Sequence, residues 1–425
     1  MKKLLLCSAL AVGFGTSAQA QDLMSVYKHL HANPELSLME VETARYLAAR
    51  LKAEGFEVTE QFGGTGVVAV MKNGPGKTVM LRADMDALPV KEETGLSFAS
   101  TVITRDAEGN DWPAMHACGH DIHMTVALGA ARELAAKKDQ WSGTLIVILQ
   151  PAEEISQGAL AMLGEGLFEK FPRPDYNLAL HANSGLEAGY VGIVPGYALA
   201  NVDSMDITVQ GIGGHGAYPH TTKDPVVLAA QMVLAFQAII AREISPQEPA
   251  VITVGSIHGG TKHNIIGEEV KMQLTLRSYS EDVRQQTIEA IKRTANGLAA
   301  AYGLPEDKMP IISLRNEYTP SAYNNPDLAE TVMAMMKNQI GDDKVVQLDP
   351  VMGGEDFGRY GKVEPKIPSL IYWLGAASSE DVAAARSGKK PLPSLHSPFF
   401  KPDAATAIPT GVTTMSETAI ALFAK

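Results

Sequence analysis

Apolar side chains in "SLMEVETARYLAARLKAEGF" (residues 37–56) recur with a helical period that stops at Gly55. "TVMLRADM", "GTLIVILQ" and "YNLALH" are instead short apolar, β-branched runs, the pattern of buried strands. Between the first two, "DIHMTVALGAARELAAKK" reads as a helix with Asp121 near its N-terminus. Strands alternating with helices from Asp22 to about Val194 predict a mostly parallel, helix-covered sheet of the α/β class.

From about Asn201 to Asn316 the pattern changes. A strand at Met205–Val209 precedes a helix opened by Asp224 as cap and Pro225 in its first turn. "PAVITVGSI" and "EEVKMQLTLRS" follow as strands, then a helix from about Glu281 to Ala301 capped by Ser280, then the strand "IISLRN". The order βαββαβ is that of a ferredoxin-like unit. Afterwards "GDDKVVQLDPVMGGEDFGRY", "SLIYWLG" and "LHSPFF" return to strand-plus-loop character. The reading is therefore a discontinuous large domain, residues 21–198 and 317–425, interrupted by an inserted α+β domain at 199–316.

The N-terminus changes the picture of where the chain works. Lys2 and Lys3 precede a short apolar run, and Ala18-Gln19-Ala20 fits the small-x-small pattern of a cleavable leader, residues 1–20. Export to the periplasm or medium is the expectation, with no membrane span in the mature chain. The formal net charge of −12 becomes more negative without Lys2 and Lys3, which argues against nucleic acid or an anionic membrane as partner. Of the two cysteines, Cys7 leaves with the leader. Cys118 then has no internal disulfide partner, and is a buried small hydrophobe, a nucleophile or a metal ligand.

Cys118 sits in "MHACGHDIHM", two residues before His120. Ligands of open α/β sheets bind beyond the carboxyl ends of the strands, and polar residues here collect at those ends. Asp84 and Asp86 follow "TVMLRA", Glu153 and Glu154 follow "TLIVILQ" by a Pro-Ala step, and His181 ends "YNLAL". Thiolate, imidazole and carboxylate together favour zinc or a neighbouring transition ion over magnesium or calcium. Adjacent glutamates allow one to bind metal while the other moves a proton, the logic of metal-assisted hydrolysis. Taken singly, Cys-Gly-His is equally a turn before a helix, and Glu-Glu a solvated helix start; their coincidence on one rim is what points to a site. His29, His31, His258 and His263 read as surface or packing histidines, and His116 and His123 as residues that orient neighbours.

At these residues the chain resembles the metal-dependent amidohydrolases that include hippurate hydrolase, N-acyl-amino-acid amidohydrolases and auxin-conjugate hydrolases. The resemblance spans nearly the whole mature chain, through "HANPELSLME", "LRADMDALPV", "MHACGHDIHM", "LQPAEE", "LHAN", "GIGGHGAYPH", "GGTKHNIIG", "GGEDFG" and "LHSPFF". It implies two divalent transition ions (zinc, manganese, cobalt or nickel) held by Cys118, His120, Glu154, His181 and His396, with Glu153 as general base. It implies that Asp86 buttresses the site from behind the ligands. In the insertion, which the resemblance makes a lid and dimerisation domain, His215 would steady the oxyanion across a dimer, and Asn264 and Arg277 would contact substrate. Glu355 would shape a nearby loop. The implied substrates are N-acyl amino acids or dipeptides, cleaved by a homodimer or homotetramer. The alternatives are a dipeptidase or aminopeptidase of the same family, or a catalytically silent binding protein. Departures from the family pattern touch specificity: "ANSGLEAG" after His181 lacks bulky residues, and His263 and Gly267 stand where a small residue and a proline are expected.

Overall fold

The computed structural model describes residues 17–105 and 109–425; most of the leader segment, with Cys7, lies outside the described residues. Eight strands form the large sheet, in the order Glu57–Glu60, Val67–Asn73, Gly143–Gln150, Lys77–Asp84, Tyr176–Glu187, Ser369–Ala377, Val191–Ile193, Val345–Gln347. The four central strands, from Gly143–Gln150 to Ser369–Ala377, are mutually parallel. Antiparallel pairings flank them on both sides, so the sheet is mixed with a parallel heart. Its burial on both faces explains why these strands are continuous apolar runs rather than alternating ones.

One face packs against helices Val41–Ala53, His120–Ala136, Pro326–Ile340 and Ala404–Phe423, around Leu47, Leu81, Leu128, Val147, Leu180, Leu374 and Met415. The last two helices have no counterpart in the sequence reading. "AATAIPTGVTTMSETAIALF" is rich in threonine and contains Pro409, which masks a helical period. Tertiary packing overrides that propensity: Gly411 lets the helix approach so closely that a Cβ there would stand 2.7 Å from Val126 Cγ2. The other face is covered by short helices at Gly158–Gly164 and Gly358–Lys362 over Met80, Ile148, Phe357 and Tyr360.

The second sheet has four antiparallel strands, ordered Ala250–Gly259, Glu269–Ser278, Asn201–Gln210, Ile311–Leu314. Helices Pro225–Arg242 and Glu281–Ala301 close its core around Met232, Phe236, Ile288 and Leu274. Both carry side-chain caps: Asp224 accepts from Val226 N–H at 2.8 Å and Ser280 from Val283 N–H at 3.3 Å. Helix Pro225–Arg242 is long and apolar enough to span a bilayer by length and composition, with a mean hydropathy of 1.7. It packs instead on this sheet by one face, leaving Val226, Val227 and Leu234 exposed on the other.

Two connections join the sheets and run antiparallel to each other. Gly196–Leu199 pairs with Ala322–Asn324, and Val202 and Thr319 exchange backbone hydrogen bonds of 2.9 and 3.0 Å.

Candidate metal centre

The strand register sets the site's floor. Asp84 pairs with Gln150, and two rungs beyond the Arg82–Ala179 pair lies His181, itself opposite Trp373. His181 is not the end of its strand, which continues to Glu187. The central neighbour Lys77–Asp84 stops at its level, however, so the imidazole still faces the rim. Above this floor helix His120–Ala136 begins, and Gly119, its N-cap, has φ +87°. A Cβ at Gly119 would come within 2.9 Å of Ala182 Cβ. The position thus requires glycine twice over, by conformation and by space, and the turn aims Cys118 and His120 together.

The five expected ligands converge. Cys118 Sγ lies 3.5 Å from His181 Nε2 and 3.3 Å from His396 Nε2. His120 Nε2 is 3.8 Å from Glu154 Oε1, and His396 Nε2 is 3.6 Å from Glu154 Oε2. Two three-donor groups result, Cys118–His120–His181 and Cys118–Glu154–His396, each with its donor atoms within 4.8 Å of one another. The sulfur belongs to both groups, so Cys118 could serve either of two bound cations.

Hydrogen bonding fixes which nitrogen of each histidine is available. His120 Nδ1–H donates to the Asp86 carbonyl at 2.7 Å and His181 Nδ1–H to the Ala182 carbonyl at 2.8 Å. Since carbonyls only accept, the neutral form of each ring keeps its Nε2 lone pair for a metal; surrounding carboxylates lift His120 to about 10 against its burial, so there the proton on Nε2 must leave first. His120 Nε2, Glu154 Oε1 and Asp86 Oδ1 are buried with no hydrogen-bond partner among the described residues. Buried polar atoms are seldom left so; Asp86 Oδ1 lies 3.4 Å from His120 Nδ1, while His120 Nε2 and Glu154 Oε1 belong to the donor groups around Cys118 and fit a pair of divalent transition ions.

Further hydrogen bonds surround the donor groups. Asp86 accepts from Glu154 N–H at 3.0 Å and from Ser37 Oγ at 2.6 Å, so it holds both His120 and Glu154 in place. His123 receives Ala182 N–H on Nε2 at 2.8 Å and therefore donates from Nδ1 to Asp84 at 2.6 Å, orienting that carboxylate. His116 does no such work: both ring nitrogens are buried without a hydrogen-bond partner among the described residues. Burial pushes its pKa down to about 4, so it is neutral packing. His31 departs from the surface-or-packing reading as well. It is buried between Asp121 (2.7 Å) and Glu92 (3.0 Å), an imidazolium clamped by two carboxylates. Although burial opposes the charge, the pair lifts its pKa to about 10.

Glu153 is 8% exposed and contributes to two acidic clusters, one with His120 and Glu154 and one with Glu355 and Asp356. Burial first, then the charges of Glu355 and Glu154, holds its carboxyl well above the usual range. Burial likewise raises Glu154, to about 7, and with Glu154 and Glu153 nearby it raises the Cys118 thiol. Bound cations would favour the charged forms of these groups.

Two residues essential to this arrangement carried no role in the sequence reading. Arg82, fully buried, binds Asp84 (2.7 Å), Glu355 (2.9 Å), Asp356 (3.2 Å) and Gln150 (3.0 Å). Glu40 accepts Ala152 N–H at 2.8 Å, bracing the loop that carries Glu153 and Glu154. A charge inside an apolar strand was the available signal for Arg82; Glu40 stood within "HANPELSLME" with nothing to distinguish it. Backbone strain concentrates here too: Ala152, Ser156 and His396 have φ of +50°, +58° and +64°.

The residues expected to serve a lid make local contacts. His215 is exposed and pairs with Ile265, and Gly216 N–H donates to the Asn264 carbonyl at 2.9 Å. Arg277 donates to the Met352 carbonyl at 2.8 Å, tying the small sheet to the large unit. Among the described residues, no hydrogen bond connects His215, Asn264 or Arg277 to the metal donors.

Residues 80–396 match the model of peptidase family M20/M25/M40. The chain belongs to this family. Thermostable carboxypeptidase 2 of Saccharolobus solfataricus is 37% identical over 362 residues, 84% of this chain and 86% of that protein. The N-acetyldiaminopimelate deacetylase of Leuconostoc mesenteroides is 34% identical over 371 residues, 86% and 92% of the two chains. Among solved structures, a Staphylococcus aureus aminohydrolase superposes with TM-score 0.82 at 32% identity over 96% of this chain and 97% of that one. The Bacillus subtilis YXEP protein, a dinuclear metal binding M20 peptidase, gives 0.78 at 29% identity over 96% and 99%. The M20 member described here is a hydrolase of amide bonds whose donor set fits two divalent metal ions.

Proposed function

We propose that the protein cleaves N-acyl amino acids or closely related small amides, releasing a carboxylic acid and an amino acid. The observation that carries this reading is the pair of donor groups sharing Cys118, with Glu153 buried beside them and bound to neither. The deacetylases among its relatives support an acyl substrate; the carboxypeptidases support the dipeptidase alternative. A silent binding protein would have no use for a buried, proton-affine Glu153.

When bound, two ions (zinc, manganese, cobalt or nickel) supply Lewis acidity toward the amide carbonyl and acidify a water. The protein's own groups do the rest. Glu153, buried beside both donor groups and belonging to neither, is placed to take a proton from the attacking water and return it to the leaving amine. Cys118, His120, His181, Glu154 and His396 hold the metals, and Asp86 fixes two of those ligands from behind. His215 accepts Ala217 N–H on Nδ1 at 3.0 Å, which puts its proton on Nε2 as an outward donor for a developing oxyanion. Asn264 beside it, and Arg277, complete a substrate-facing set once the lid meets a site.

A homodimer or homotetramer brings such a lid to a neighbouring centre. The edge strand Ala250–Gly259 and the exposed Val226, Val227 and Leu234 support this reading. Location in the periplasm or medium follows from the leader pattern at residues 1–20.

The test is Glu153→Gln with manganese, cobalt, zinc or nickel, assayed on N-acyl amino acids and dipeptides. Turnover should be abolished while metal content stays at wild-type level. Near-wild-type turnover would remove the assigned base, and exclusive hydrolysis of dipeptides by the native enzyme would favour the peptidase.

A further inference from the structure

A cavity of about 950 Å³ opens where the two connections between the sheets meet, and none of its lining residues belongs to the metal-donor set. Tyr197 lines it from the outgoing connection and Tyr318 and Tyr323 from the returning one. Tyr279 belongs to the small unit, and Arg359 and Lys362 to the large one. The rings are arranged: Tyr197 stacks on Tyr279 at 5.8 Å and meets Tyr323 edge-on at 4.9 Å. Yet Tyr197 and Tyr323 remain 36% and 46% exposed, a wet aromatic surface with room for another ring.

The charge on this wall is unbalanced. Lys362 Nζ bonds Ser321 Oγ at 3.1 Å and, with no carboxylate at ion-pair distance among the described residues, feels Glu281 only from farther away. Arg359 bonds the Tyr318 carbonyl, and its buried Nε has no hydrogen-bond partner among the described residues. The carboxylate that lines the cavity, Glu281, is already committed to Arg284 (2.6 Å), Gln285 (2.7 Å) and the Tyr318 hydroxyl (3.0 Å). Aromatic faces beside three lining cations, Arg359, Lys362 and Lys366, against one already committed lining carboxylate fit a flat anion.

We propose that this cavity binds a small aromatic carboxylate, its ring against Tyr197 and Tyr323 and its charge on Lys362 and Arg359. Because the walls come from both units and both connections, an occupant bridges them and favours one hinge geometry. Thr319, between the lining Tyr318 and Pro320, pairs with Val202 and donates from Oγ1 to Ser156 Oγ. Ser156 N–H in turn donates to the Glu153 carbonyl at 2.7 Å. Occupancy therefore reaches the loop of the proposed base through one hydrogen-bonded residue. Binding is independent of the hydrolase reading, whereas the effect on rate rests on it.

Calorimetry of benzoate against the full-length Glu153→Gln protein separates the two. Benzoate should bind, and benzamide, lacking the charge, should bind about tenfold or more weakly. Lys362→Glu and Tyr323→Ala, both at solvent-reached positions, should each weaken benzoate about tenfold, and His396→Ala should leave it unchanged. Absence of binding at about 10 mM benzoate, or loss in His396→Ala with retention in Lys362→Glu, overturns the site. On the active enzyme benzoate should change kcat, and Thr319→Val should remove that response while binding persists; a kcat indifferent to benzoate refutes the coupling.

Discussion

Arg82→Met tests whether the ion network behind Glu153 is held by its single guanidinium. Arg82 is 1% exposed and makes hydrogen bonds to three carboxylates, those of Asp84, Glu355 and Asp356. Methionine approximates its length, so the change leaves little cavity and mainly strands three acids. Removing one member of a buried ion cluster costs about 3–5 kcal/mol, because the remaining charges lose their compensation. The ceiling is set by protonation, since burial already lifts Asp356 to about 7 and the stranded acids can neutralise. A Tm lower by roughly 3–8 °C is expected by scanning calorimetry. The sign with pH is definite. Stranding raises the folded-state pKa of these acids, so the penalty is greatest above that value and shrinks as pH falls and they protonate. Adding Glu355→Gln and Asp356→Asn to Arg82→Met should recover most of the loss. A deficit below about 1 kcal/mol, or a triple variant no more stable than Arg82→Met, would refute the argument that stranded charge dominates.

Chelation should lower Tm and abolish activity, and a divalent ion at about 100 times its Kd should restore about 2.7 kcal/mol per site. In Cys118→Ala, metal content measured by atomic emission should fall for both ions, since each donor group loses its shared member. Gly119→Ala should cost about 1–3 kcal/mol through its left-handed backbone and its approach to Ala182, and weaken metal binding with it; unaltered metal affinity would separate the turn from the site. The His31 clamp has a folded pKa raised from 6.5 to about 10. Its stabilisation is fully present below pH 6.5 and is lost as pH rises toward 10. The stability difference between native protein and His31→Gln should therefore narrow over that interval in denaturant titrations.

The sequence by itself determined the elements whose chemistry is local. Buried strands such as "GTLIVILQ" are continuous apolar runs, and the caps Asp224 and Ser280 announce their helices, because strand burial and capping act over a few residues. The βαββαβ order was likewise legible and returned as the four-stranded sheet. The donor types of Cys118, His120, Glu154, His181 and His396 stood in ordered motifs. What letters cannot carry is distance between remote segments. Only tertiary contact, with His396 N–H donating to the Ala117 carbonyl at 2.9 Å, brings His396 Nε2 within 3.3 Å of Cys118 Sγ across 278 positions. Only packing makes a helix of the threonine-rich Ala404–Phe423 segment, against its propensity. Arg82 and His31 are invisible for the same reason: a buried ion is tolerable solely because its counter-charges arrive from other elements. Protonation states, ligand tautomers and the hinge cavity all depend on that convergence, and tertiary structure alone decided them.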